Sequence, residues 1–206
     1  MSARPNAPLV PTGWQTIGPF FPRTFFREGD NDLRRLTVEA PPTTRGEPIR
    51  LLGRVLEEGG RPCVNAILEA WQADAEGRFR HPHDPEAHRA DPDFLGWGRA
   101  WTDAEGRYEF RTILPGGYRD TAGPRAPHVN LALLASGVMR RLTTTLFFPD
   151  FPEANAADPV LGCIPDPALR ALLVAREEGR IEGERAFRLD LLLHGPAAEE
   201  TPFFRD

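Results

Sequence analysis

From Ile49 onward the apolar residues fall in short runs separated by clusters of Gly, Pro, Asp and Arg, the pattern of strands joined by tight turns. Ile49 to Leu56 is followed by a Gly-Gly-Arg-Pro cluster and then by Ala66 to Trp71, which together read as a hairpin. Gly98 to Trp101 and Tyr108 to Ile113, on either side of a polar turn, repeat the design. Val129 to Ala135 and Leu142 to Phe148 form a third pair across Ser136 and Gly137, and Ala186 to Leu193 supplies a late strand. So many short strands with frequent turns predict an all-β chain: an antiparallel β-sandwich with an extended N-terminal arm and one or two short helices.

One stretch has a clear helical period. Asp166 is suited to the N-cap, Pro167 to the first helical position, and Leu169, Leu172 and Leu173 to a buried stripe, with Gly179 placed to close the end. Residues 1–47 are rich in Pro, Arg, Thr and Phe without a sustained period, so they are expected to form the arm, and residues 48–206 the sandwich. Trp14, Phe20, Phe21, Phe25 and Phe26 give that arm enough apolar area to require a surface, either its own sandwich or another subunit. Residues 79–97 form a long irregular stretch between strands, a type of loop that usually serves a site or an interface.

Composition narrows the function. The 22 prolines and 19 glycines among 206 residues agree with many turns, and the absence of any long apolar run excludes a membrane-spanning helix. A net charge of −5 gives no general attraction for nucleic acid or an anionic membrane. All 25 basic residues are arginine, so any anion site must use guanidinium, the cation suited to two-point recognition of carboxylates. Cys63 and Cys163 are too few for a disulfide framework and are expected to be buried free thiols. The first residues lack the pattern of a secretory signal, and a cytoplasmic location is expected.

His81, His83 and His88 raise the question of a metal site. A loop this rich in Asp, Arg and His reads better as a solvated or interfacial surface, and no cysteine completes a zinc set. Ser2 and Ser136 are the only serines, and no nucleophile elbow or phosphate loop is present, so nucleophilic hydrolysis has little support.

Three stretches carry more information: Asn65-Ala-Ile-Leu-Glu-Ala-Trp-Gln-Ala-Asp-Ala-Glu-Gly-Arg-Phe79, Leu114-Pro-Gly-Gly-Tyr118, and Arg125-Ala-Pro-His-Val-Asn130. In these the sequence resembles the intradiol ring-cleaving dioxygenases, and within them the alpha chains of the heteromeric members. The likeness extends from Gln15 to Phe204. The resemblance implies a non-haem ferric ion held, in catalytic chains, by two tyrosines and two histidines. Here the first tyrosine position is Phe79, the second is Tyr118, the first histidine is His128, and its partner is Asn130. A benzene ring gives no oxygen and an amide gives only a weak neutral one, so two of the four ligands are missing.

The resemblance therefore implies a chain that does not itself hold iron, in which Phe79, Tyr118, His128 and Asn130 are vestigial positions and no residue is catalytic. An alternative is that His81 or His83 replaces a missing ligand. The Fe(III) would sit on a homologous iron-binding beta subunit in a higher-order heteromer, and Gln15, Thr16, Ile17, Gly18, Pro19 and Phe20 of this chain would help close that partner's substrate cavity. Arg125, Arg140 and Arg141 are candidate anion contacts, and Arg125 can equally be an inherited salt bridge. The implied reaction is cleavage of 3,4-dihydroxybenzoate by O2, between its hydroxyl-bearing carbons, to 3-carboxy-cis,cis-muconate. Two other readings remain: a non-catalytic β-sandwich binding module, and a self-sufficient homomeric enzyme acting on another catechol.

Overall fold

A computed structural model of the chain describes residues 26–138 and 140–204. Two sheets stack face to face. The first contains β1 (Pro48–Leu56), β4 (Arg107–Ile113), β9 (Arg176–Ile181), β10 (Glu184–Arg188) and β11 (Leu191–Leu192); β4 pairs with one edge of β1, and β10 and β11 pair with the other. The second runs β3-β2-β7-β8, from β3 (Trp97–Trp101) through β2 (Ile67–Trp71) and β7 (His128–Leu134) to β8 (Leu142–Phe147), with every neighbour antiparallel. A small hairpin, β5 (Tyr118–Arg119) with β6 (Pro124–Arg125), stands beside them.

Alternation of side chains explains the layers. Ile49, Leu51 and Val55 of β1 point inward with Tyr108 and Phe110 of β4, and meet Leu68 and Ala70 of β2 and Val129, Leu131 and Leu133 of β7. Phe148 and Phe187 close the centre edge to face, with ring centroids 5.1 Å apart. Burying one such side chain stabilises the fold by about 2–3 kcal/mol.

Several pairings differ from the sequence expectation. The runs read as a first hairpin, β1 and β2, lie in different sheets, and the only bridge between β1 and the turn that follows it is Leu56–Pro62 among the described residues; β3 and β4 are likewise split between sheets. A Gly- and Pro-rich turn specifies a reversal of the chain, not which sheet receives the next strand. The β7–β8 hairpin forms as expected. The late strand breaks at Leu189 and Asp190, where the Asp190 carboxylate accepts the backbone N–H of Arg54 at 2.8 Å. Both resulting pieces run parallel to β1, so the first sheet is mixed.

β9 was not expected because its residues, Arg-Glu-Glu-Gly-Arg-Ile, are exposed on both faces and carry no apolar alternation. Gly179 sits inside β9 and does not close a helix; α3 (Pro167–Ala171) ends at Leu172. Its N-cap is as expected, the Asp166 carboxylate accepting the Ala168 N–H at 2.8 Å. With α1 (Pro152–Ala157) and α2 (Pro159–Gly162), the described residues hold three short α-helices where the sequence indicated one or two. Cys63 is buried as expected, but Cys163, just after α2, is exposed.

Residues 26–47 lie on the sandwich edge. Leu33 is fully buried, its N–H donates to Arg111 O at 2.9 Å, and Arg99 N–H donates to Asp30 O at 2.7 Å, so this segment bridges β4 and β3. No helix among the described residues is long and apolar enough to cross a membrane.

Candidate functional site

β2 delivers Trp71 to the edge of the sandwich, and residues 72–79 turn back over it. The Gln72 amide locks the start of this turn: Nε2 donates to Ile113 O at 2.9 Å, and Oε1 accepts from Thr112 Oγ1 at 2.8 Å. The buried Asp74 carboxylate accepts the N–H groups of Glu76, Arg78 and Asp91, each at 2.9 Å, tying the turn to the far end of the irregular 79–97 loop. Gly77 has φ +79°, and a Cβ there would lie 2.1 Å from Gly117 O. Only glycine lets the turn lie directly on the residues that lead into β5. This close approach sets Phe79 edge-on against Tyr118, with centroids 5.1 Å apart, while Trp71 stacks on the other side of Phe79 at 6.0 Å.

The β5–β6 hairpin places Tyr118 directly opposite Arg125, and β7 starts at His128. His128 and Asn130 share one face of β7, and the register Trp71–Asn130–Thr145 aligns three strands at this level. His128 Nδ1 lies 2.6 Å from Ala126 O, which assigns the proton to Nδ1 and leaves the lone pair on Nε2. Three donors converge on that lone pair: Arg125 Nη2 at 3.4 Å, Asn130 Nδ2 at 3.4 Å and Tyr118 OH at 3.5 Å. Thr145 Oγ1 donates to Asn130 Oδ1 at 3.1 Å and thereby orients the amide.

The charges follow from burial. His128 is 3% exposed, and desolvation, reinforced by the Arg125 charge, pushes its pKa down to about 4, so the ring is neutral. Burial also raises the Tyr118 phenol, against the opposing pull of Arg125, and keeps it protonated. Arg125 is anchored by Asp158, whose side chain is 0% exposed: Oδ2 accepts from Arg125 Nε at 3.0 Å and from Ala126 N–H at 2.8 Å, while Oδ1 caps α2 at Val160 N–H. Beside the cluster, a cavity of about 540 Å³ is lined by Trp71, Trp97, Arg125, Asn130, Thr145 and Phe204, among others.

A family model described as Dioxygenase matches residues 17–195. The chain belongs to the intradiol dioxygenase family. It is 37% identical over 211 residues to the protocatechuate 3,4-dioxygenase beta chain of Burkholderia cepacia, covering 98% of this chain and 86% of that one. It is 37% identical over 167 residues to the alpha chain of the same enzyme from Pseudomonas putida, covering 80% and 79%. Among solved structures, the dioxygenase domain of a carbohydrate-binding fusion from Streptomyces sp. SirexAA-E superposes with TM-score 0.56 at 27% identity, covering 90% of this chain and 99% of that one. Catechol 1,2-dioxygenase from Acinetobacter sp. ADP1, at 24% identity, shares the fold with TM-score 0.60, covering 85% of this chain and 60% of that one.

Intradiol dioxygenases are non-haem iron enzymes, and the protocatechuate 3,4-dioxygenase relatives are separate alpha and beta chains. Ferric ion favours anionic oxygen donors and imidazole nitrogen. The cluster in this intradiol chain offers one neutral phenol and one imidazole nitrogen, with an oxygen-free ring at Phe79 and an amide at Asn130. The nitrogen already faces a guanidinium, which repels a cation. This donor set does not fit a ferric ion.

The other sequence candidates are dispersed. Gln15, Thr16, Ile17, Gly18, Pro19 and Phe20 lie outside the described residues. Arg140 and Arg141 are exposed at the entry to β8, and Arg141 lines the cavity beside Asn130. His81 and His83 pack against each other with centroids 4.9 Å apart, and His81 also meets the edge of Trp71; His88 sits in a separate single turn at residues 87–89. Among the described residues no three His, Cys, Asp or Glu side chains gather as a metal site. Sequence reasoning overlooked Asp158 and Thr145, which orient Arg125 and Asn130. Asp158-Pro159 carries the same N-cap signal as Asp166-Pro167 and could have been read as a helix start.

Proposed function

We propose that this chain is the alpha-type, non-iron-binding subunit of a protocatechuate 3,4-dioxygenase. On this reading it pairs with a homologous beta subunit in a higher-order heteromer, and that partner holds the Fe(III) and carries out the cleavage of 3,4-dihydroxybenzoate with O2. The chain is inactive alone. Its arm, residues 1–47, packs on its own sandwich or on the partner, and Gln15 to Phe20 complete the partner's substrate cavity. Leu33, buried in the sandwich, supports the first of these contacts. Two free thiols agree with a cytoplasmic heteromer.

The observation that carries the reading is the set of side chains around His128 Nε2. Sequence identity does not separate the roles, since the beta and alpha relatives are both 37% identical to this chain. The replacements favour the alpha role: on this reading Phe79, against Tyr118, and Asn130, beside His128, stand at two ligand positions without supplying the donor atoms. Tyr118 and His128 are then members of a filled pocket, held by Arg125 and Asp158.

Co-expression with a homologous chain that has Tyr, Tyr, His and His at the four positions tests this. The two chains are expected to co-purify as an active complex that consumes protocatechuate. Turnover of protocatechuate by this chain alone, or a stable monomer that ignores the partner, would contradict it.

A further inference from the structure

Two pairs of arginines face each other across β1 and β4, Arg50 opposite Arg111 and Arg54 opposite Arg107. Like charges placed directly across neighbouring strands repel. The first pair is neutralised internally: Arg50 meets Glu109 at 2.8 Å, Glu184 at 3.1 Å and also Glu182, and Arg111 lies 3.5 Å from Glu182 and 3.7 Å from Glu184. The second pair is not. Among the described residues the Arg54 guanidinium forms no ion pair, and Arg107 has only Glu105, at 3.8 Å with both side chains exposed.

Of the carboxylates nearby, Asp103, Glu109 and Asp190 are engaged elsewhere, and Glu28 also lines the groove that Arg54 and Arg107 share. Asp103 Oδ1 accepts the N–H groups of Glu105 and Arg107 at 3.0 and 2.7 Å, and Glu109 is bound to Arg50. Asp190 pairs with Arg188 at 3.1 Å and accepts the Arg54 N–H. Arg54 and Arg107 line a groove of about 860 Å³, within the size range of small-molecule sites. Phe26 and Trp101, edge to face at 4.4 Å, line the same groove with Leu52 and Tyr108. Guanidinium forks match a carboxylate, and the aromatic wall matches a flat apolar ring.

We propose that this groove is a binding site for an aromatic carboxylate, with the carboxylate held between Arg54 and Arg107 and the ring against Phe26 and Trp101. The site lies apart from the His128 cluster and does not depend on the subunit role proposed above.

Titration calorimetry of the full chain with benzoate, and with neutral benzamide, tests it. Benzoate is expected to bind at least tenfold tighter than benzamide. The double variant R54Q/R107Q is expected to lose at least tenfold in benzoate affinity while its Tm without ligand does not fall, since a repulsive pair has been removed. The single variants R54Q and R107Q, each expected to weaken binding several-fold, keep the test readable should the double variant unfold. Equal affinity for benzamide, unchanged affinity in the variants, loss of binding in W71A at the other cavity instead, or binding of a glutamate-rich peptide but not benzoate would each overturn the proposal.

Discussion

Arg125 Nη2 stands 3.4 Å from His128 Nε2, so a fixed cation faces the imidazole lone pair. The guanidinium is held there by Asp158 from behind and Asp120 at the hairpin, and the imidazole by Ala126 O. One consequence is electrostatic: a proton on Nε2 would meet the same repulsion as a metal ion. The other is architectural, since Arg125 joins the β5–β6 hairpin, β7 and the start of α2.

The first expectation concerns pH. The unfolded His128 has a pKa near 6.5 and the folded one is pushed down to about 4, so between these values the unfolded chain binds more protons. The stability associated with neutral His128 is complete above pH ~6.5 and falls as pH drops toward 4, by about 3 kcal/mol in total. Urea denaturation from pH 7 to 4.5, compared with H128N, isolates this slope; wild type and variant with the same pH dependence would contradict it. NMR of the ring is expected to show the neutral Nδ1–H tautomer down to pH 5.

Asp158 should be among the costliest side chains to remove. Its carboxylate is fully buried and serves Arg125, Ala126 and the α2 N-cap at once. D158A leaves a buried guanidinium with only Asp120, and is expected to destabilise the fold by about 3–5 kcal/mol. A loss below 1 kcal/mol in chemical denaturation would show that Arg125 finds another partner at little cost.

Much of this arrangement could be read from the chain before its structure. Short apolar runs bounded by turn clusters located β1, β2, β4, β7 and β8 to within a residue or two, because each strand carries buried apolar side chains. β9 escaped because it buries neither face, and the parallel pairing of β1 with β10 escaped because an apolar run identifies a strand and not its neighbours. In the site, the spacing from Trp71 to Phe79 and from Arg125 to Asn130 is local and legible. That Asp158 stands behind Arg125, or Thr145 beside Asn130, depends on long-range register and is visible only in the folded chain.

Glycine 77 offers a test of how the two halves of the pocket are brought together. In G77A the new Cβ would collide with Gly117 O in addition to the left-handed strain, whereas G59A, at φ +73° with open space around it, meets only the strain. G59A is expected to cost about 1–2 kcal/mol, and G77A clearly more, with loss of the ring-current shifts that Phe79 imposes on Tyr118. Equal costs for the two variants would contradict the close-approach argument.

The cavity-completing role proposed for the arm has its own kinetic signature. In the assembled complex, G18V in this chain is expected to raise KM for protocatechuate or lower kcat several-fold while the iron content of the complex stays constant. Unaltered kinetics would leave the arm only a fastening role.

The most direct measurement is the metal content of this chain purified alone after expression with excess iron. The donor set around His128 predicts far less than one iron per chain and a colourless protein, with no visible absorption from tyrosinate bound to ferric ion. One ferric ion per chain, with a coloured band that is lost in Y118F, would contradict the account.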